Sequence, residues 1–273
     1  NDPEVIEALF ADSSHLIAVH AEDFDRLQER KHLYEHSHDV HDHLRIRDEE
    51  CALLATRRAC DLAMKYGHRL HLLHVSSEAE VRHLRTVDRA LISAEVAAHH
   101  LLLSAPSCYE RLGTYAQTNP PIRTERHRLA LWEGLDAGLF ACMVSAHAPH
   151  TRQSKNATYP TSPSGVPGVE WTLPVLMTMV ERGRMSLHDL VRWACEGPTR
   201  VYGLPRKGRL EVGFDGDIVL VDPQARRTVT DEQVLRVDQT TDAGVRVVLL
   251  HGRVEPVDGH FEVETLEGCA IEE

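Results

Sequence analysis

The sequence predicts an α/β fold: consecutive strand–helix units of a parallel (β/α) barrel, followed by a small β appendage. Three observations predict it. Short apolar runs alternate four times with helical patterns, the order that builds a parallel sheet covered by helices. Several of those runs end in polar, metal-capable residues, and α/β barrels carry their chemistry at the C-terminal tips of parallel strands. At Pro205 the texture changes to short strand patterns with tight turns, so residues 1–205 are read as barrel and 206–273 as a small β domain with a tail.

Composition narrows the function classes. The 273 residues suffice for one large domain or for a portion of a barrel with an appendage. With 42% hydrophobic and 26% charged residues the chain is of ordinary globular composition. No apolar run approaches the roughly 20 residues that span a bilayer, and Asn1-Asp2-Pro3-Glu4 has neither the basic start nor the apolar core of a signal peptide. A formal charge of −12 argues against general nucleic-acid affinity, which needs clustered Lys and Arg. The six cysteines show no paired short spacing and read as reduced thiols of a cytoplasmic protein. Most of the 19 histidines therefore need a structural explanation before a chemical one.

Taken in order, residues 3–14 read as a short helix, with Asp2 as N-cap and Pro3 at the first helical position. The strand His15-Leu16-Ile17-Ala18-Val19-His20 follows, and a period of two puts His20 at the tip of the Leu16, Ala18 face. The segment 22–50, with His32, His36, His38, His41 and His43 among acids and arginines, reads as a solvated loop. Residues 48–66 carry a helical pattern stopped by Gly67. In the next strand, His68–Val75, Leu70, Leu72 and His74 are expected on one face and His71 with Leu73 on the other. His74 repeats the tip position of His20; His71 and His68 are read as hydrogen-bonded core residues.

A helix over 78–85, a strand over 90–96 ending at His99-His100, and a helix over 124–137 come next. The apolar run Leu139–Val144 reads as a buried strand, broken by the turn Ala146-His147-Ala148-Pro149-His150 because Pro149 cannot continue a ladder. Tyr159–Gly168 is rich in Pro, Ser and Gly and reads as a functional loop over a barrel mouth. Helices near 169–182, 186–196 and 198–203 lead to the β patterns at Gly208–Asp222, Val245–Arg253 and His260–Val263.

The turn resembles the Asp-His-Ala-Pro-His-Thr signature of dihydroorotases, zinc enzymes of the amidohydrolase superfamily, with Ala146 where that family has Asp. Further motifs in family order support the resemblance: His20-Ala21-Glu22-Asp23, His74-Val75-Ser76-Ser77, Glu95–Leu102, Asn119-Pro120-Pro121-Ile122-Arg123 and Pro163–Glu170. Gly208-Arg209-Leu210 with Asp217-Ile218-Val219 completes the set.

The resemblance implies the C-terminal portion, about strands 5–8, of a metal-dependent (β/α)8 TIM-like barrel with a small β-sandwich appendage. It makes His20 and His74 ligands of the second of two zinc ions. Asn119, His150 and the Ser164-Gly165 main chain match residues that hold the dihydroorotate ring. It implies interconversion of dihydroorotate and N-carbamoyl-L-aspartate in pyrimidine biosynthesis, by a metal-bridged hydroxide and an Asp that shuttles the proton. The family's His-x-His and carboxylated lysine are expected upstream of residue 1. Ala146 can neither ligate zinc nor carry a proton, so the first metal site and the activity are expected to be impaired. The alternatives are an inactive dihydroorotase-like partner, for example of aspartate transcarbamoylase, and an allantoinase-like hydrolase. Asn119 before Pro120-Pro121 favours dihydroorotase over the latter. A homo-oligomer is the other association the resemblance allows.

Overall fold

Four short strands lie side by side in chain order, all parallel: β1 (Ile17–Val19), β2 (Leu70–Leu72), β3 (Ile92–Ala97) and β4 (Cys142–Val144). The computed structural model describes residues 2–223 and, as backbone, the strands within 248–250, 254–257 and 260–263. Parallel neighbours need long crossovers, and here these are helical. Helix α1 (Pro3–Asp12) precedes β1; α2 (Phe24–Leu33), α3 (Asp42–Ile46) and α4 (Glu49–Tyr66) join β1 to β2; α5 (Glu78–Leu84) joins β2 to β3. Helices α6 (Ala98–Leu102), α7 (Ser107–Leu112) and α8 (Glu125–Asp136) join β3 to β4, and α9 (Arg152–Lys155) follows. This is the expected α/β fold, a portion of a TIM-type barrel.

Local chemistry sets the helix ends. The Asp2 carboxylate accepts from Glu4 N at 3.0 Å and Pro3 opens α1. Asp48 caps α4 by accepting from Cys51 N, and Gly67 ends that helix at φ 63°, where a side chain would be strained. Apart from Leu53, the buried residues of α4 (Cys51, Ala52, Thr56, Ala59, Cys60, Ala63) are small, which lets the helix lie close to the sheet.

Register shows which strand residues share a face. Leu70 pairs with Ile92 and Leu72 with Ala94; all four are fully buried and form the helix-covered side. Ala18, His71 and Ser93 form the opposite row, and Glu95 with Cys142 continues it one step nearer the strand tips. His71 therefore shares the face of Ala18 and His20, while Leu70 and Leu72 look the other way. The expected grouping of His74 with the leucines fails at the tip: His74 has φ 33°, and this left-handed residue breaks the period of two.

The histidine-rich segment is also unlike its sequence reading. It folds as α2 and α3, because Asp23 caps α2 by accepting from Arg26 N and because Leu27 and Ile46 are buried against Cys51 and Tyr159. Within the segment Leu27 and Ile46 are the buried apolar anchors of this cluster, set among many charges.

Contacts divide the chain into two compact units, the first running through Val169 and the second beginning at Glu170. The second holds α10 (Val169–Glu181), α11 (Leu187–Val191), a π-helical turn at Arg192–Glu196 and α12 (Gly197–Tyr202). In its β part, β5 (Ile218–Leu220) pairs antiparallel with β6 (Val248–Leu250), and β7 (Val254–Val257) with β8 (His260–Val263). Of the stretch Gly208–Asp222, expected as several strands, only β5 is strand; the rest is turn, bend and irregular chain with a single bridge residue at Asp215, and Arg209 lies on Glu196 at 3.0 Å. The expected strand residues 245–247 and 251–253 and the tail from 264 lie outside the described residues. Among the described residues no helix is long and apolar enough to cross a membrane.

Candidate metal and substrate site

His20 follows β1 directly and His74 stands two residues past β2, so neighbouring parallel strands deliver both rings to one end of the sheet. Their ring centroids are 4.8 Å apart at 77°, and His20 Nδ1 faces His74 Nε2 at 3.0 Å. The tautomer of His20 is set from behind. Its Nε2 lies 2.7 Å from the Glu22 carboxylate, which accepts, so Nε2 carries the proton and Nδ1 presents a lone pair. Glu22 is buried, and burial alone would raise its carboxyl; the bond from His20 and the charge of Arg47 more than reverse this and hold it below its usual value. Burial lowers His74, and the neighbouring His20 lowers it further, so that ring stays neutral, the form that binds a metal.

The donor set fits a borderline metal ion. Two imidazole nitrogens facing each other at this distance suit zinc: on a tetrahedral ion with bonds of about 2.0–2.1 Å they would stand roughly 3.4 Å apart, close to the 3.0 Å observed. A carboxylate behind a ligating histidine is the usual way of fixing its orientation. Two ligands fall short of the three protein ligands of a catalytic zinc.

A second metal-capable group lies deeper, where ligand atoms of His71, Glu95 and Cys142 are all within 4.8 Å of one another. Both His71 nitrogens are already engaged, with Ser93 Oγ at 2.8 Å and Glu95 Oε2 at 3.0 Å. Burial, with the charge of Glu95, pushes the Cys142 thiol up to about 12. Glu95 Oε1 accepts from the His74 main-chain N–H at 3.3 Å. The group is thus a hydrogen-bonded floor beneath the His20–His74 pair.

Of the residues expected to hold substrate, His150, Ser164 and Gly165 come together through a different set of bonds. His150 Nε2 donates to Ser164 O at 3.0 Å, which leaves Nδ1 of the neutral ring as an acceptor. Gly165 N–H donates to Gln117 O at 2.8 Å, so that main-chain donor is spent within the protein. Gly165 has φ 144°, and a Cβ there would lie 2.4 Å from Ala148 O; only glycine fits. The Gln117 amide donates to Ser162 O and Ser164 Oγ, while Lys155 Nζ donates to Pro163 O at 2.9 Å. Lys155 is buried, and burial lowers it to about 8. Asn119, two residues beyond Gln117, bonds to His43 rather than to this loop.

Ala146 follows β4 in the left-handed region, φ 45°. Next to it His147 Nδ1 accepts from Gly168 N at 3.1 Å and Val169 N at 3.3 Å, closing the turn against the loop end. The sequence reading gave no site role to Glu22, His43, Glu95, Gln117 or Lys155. Glu22 and Glu95 lay within the quoted motifs, whereas His43 and Lys155 gave no signal.

A parallel α/β sheet that brings two histidines together at neighbouring strand tips is the architecture on which the comparisons with known proteins bear. The pattern of the amidohydrolase family matches residues 2–254, and the chain belongs to that family. It is 36% identical over 217 residues to a dihydroorotase of Halobacterium salinarum, a match covering 78% of this chain and 49% of that protein. It is 34% identical over 194 residues to a dihydroorotase of Bacillus licheniformis, covering 70% and 45%. The chain is a dihydroorotase-like amidohydrolase that spans about half the length of the curated relatives it matches. Among solved structures, D-hydantoinase from Bacillus sp. AR9 superposes with TM-score 0.75 at 27% identity, over 86% of this chain and 54% of that one. The L-hydantoinase of Arthrobacter aurescens superposes with TM-score 0.83 over 99% of this chain and 62% of that one; at 24% identity it shows the fold alone.

Proposed function

We propose that the chain is the C-terminal part of a dihydroorotase-type cyclic amide hydrolase that interconverts dihydroorotate and N-carbamoyl-L-aspartate in pyrimidine biosynthesis. The observation that carries this reading is the facing of His20 Nδ1 and His74 Nε2 at the tips of adjacent parallel strands. These two nitrogens would hold a zinc ion, which when bound supplies Lewis-acid activation of an amide carbonyl and of water. Asn119 and His150 would grip the polar edge of the ring, with the Ser164-Gly165 main chain alongside. Glu22 keeps the His20 lone pair turned inward. Ala146 leaves the turn without the carboxylate that the resemblance places there, so proton transfer to the leaving nitrogen is the step this chain performs badly.

The Ala146 methyl also favours a second reading, a catalytically silent dihydroorotase-like subunit that binds ligand and serves as a partner, in a homo-oligomer or with aspartate transcarbamoylase. Buried, protonated thiols at Cys51, Cys60, Cys108 and Cys142 suit a reducing, cytoplasmic setting. The test is calorimetric titration of the full-length, zinc-loaded protein with dihydroorotate and, separately, allantoin, followed by a hydrolysis assay. The expected result is binding of dihydroorotate with slow turnover, and at least about tenfold weaker binding in Asn119→Ala. Preference for allantoin, or unchanged affinity in the variant, would overturn the substrate assignment.

A further inference from the structure

His43 lies in the histidine-rich segment, outside every motif assigned so far, yet it is one of the more buried polar residues, at 5% exposure. Its Nε2 is 2.9 Å from Thr118 O and 3.1 Å from Asn119 Oδ1. A main-chain carbonyl can only accept, so Nε2 must carry the proton. That one N–H is then shared between two acceptors. It follows that the side of the Asn119 amide turned to His43 is its oxygen: the flipped amide would set N–H against N–H. The Asn119 NH2 group is left facing away from His43, on an exposed residue with no hydrogen-bond partner for it among the described residues.

The ring is itself held. Tyr159 meets it edge-on at 5.9 Å between centroids, and His43 sits in α3, whose C-cap Arg47 binds Glu22, the residue behind His20. Burial lowers His43 to about 4, so it stays a neutral, single-tautomer donor at physiological pH.

We propose that His43 is a positioning residue that locks the Asn119 side chain in one orientation, so that Asn119 offers the site two N–H donors and selects ligands presenting an acceptor there. A carbonyl or carboxylate oxygen satisfies this; a ring N–H at the same place does not. That Asn119 faces a ligand, and which ligand, rests on the dihydroorotase reading; the direction in which His43 holds its amide does not. A site built on one hydrogen-bond polarity rejects the opposite one because the mismatched groups stay unpaired.

Two measurements on the full-length protein test it. Without any ligand, long-range 1H–15N spectra of the imidazole rings report the His43 tautomer; Nε2–H is expected at neutral pH, and Nδ1–H overturns the proposal. With dihydroorotate, His43→Leu keeps bulk but removes the donor and should raise Kd about tenfold. His43→Gln places an N–H near the same point and should restore affinity to within about threefold. In an Asn119→Ala background His43→Leu should add almost nothing, whereas a merely structural role would add its full cost. Equal loss in the Leu and Gln variants, or additivity with Asn119→Ala, refutes the positioning role. If the parent protein does not bind dihydroorotate, the substrate assignment falls, and the tautomer still decides this proposal.

Discussion

At the scale of single residues, the position with most leverage is Ala146. Its φ of 45° lies where L side chains rarely go, and where Asp and Asn are enriched over Ala because their short polar groups bond locally. The backbone thus holds a conformation that suits Asp better than the alanine present. Ala146→Asp should cost little stability and should supply a carboxylate just beyond the tip of β4. A missing general base typically costs about 10² to 10⁴ in rate. In full-length, zinc-supplied protein Ala146→Asp should raise dihydroorotate turnover by at least about 10². Assays of both forms at matched metal content check this; no gain would leave the silent-subunit reading in place. The same residue shows what a sequence reveals. The meeting of His20 and His74 was legible because each ends an apolar run. The side on which His74 emerges was not, because strict alternation presumes an ordinary φ at every residue.

At the scale of elements, α3 is the instructive case. Nothing in Asp42-His43-Leu44-Arg45-Ile46 distinguishes a solvated charged stretch from a helix that buries His43, since the acceptors that make burial tolerable, Thr118 O and Asn119 Oδ1, are more than 70 residues away. By contrast α4, α5 and α8 were legible within a residue or two, because their periodicity and caps are local: Asp48, Ser77 with Glu80, and Gly67. Burial of His43 carries a pH signature. In the folded chain it resists protonation down to about 4, whereas unfolded it takes a proton near 6.5. Between those values the unfolded state binds the extra proton, so stability falls as the pH drops through that window. The loss from this one group is about 3 kcal/mol when complete. Urea melts at pH 7, 6, 5 and 4 should show the midpoint falling mainly below 6.5, with a shallower fall in His43→Gln. Identical pH profiles in the two proteins would show that His43 is not held neutral.

At the scale of the molecule, the sheet of the first unit poses the remaining question. β1 is one of its two outermost strands: one edge pairs with β2, and among the described residues nothing pairs with the other. Ala18 on β1 is exposed although its register partner His71 is fully buried. Apolar Val5, Leu9, Phe24 and Leu33, on the helices flanking β1, are also exposed. An unpaired strand edge is a template for another chain unless charge, proline or a bulge blunts it, and Ile17-Ala18-Val19 has none of these. A TIM-type barrel has eight strands, and this sheet supplies four. We therefore expect residues 1–273, produced alone, to associate through the β1 edge or to pair with a separately supplied polypeptide carrying the complementary strands. Light scattering on the isolated segment should give masses well above the 30.7 kDa of one chain. A charge pointing inward from an edge strand is a natural guard against such pairing, so Ala18→Lys should shift the distribution toward monomer while leaving the helical circular dichroism unchanged. A monodisperse monomer from the unaltered segment would mean that the edge is satisfied within the chain, and that this sheet stands without the other four strands.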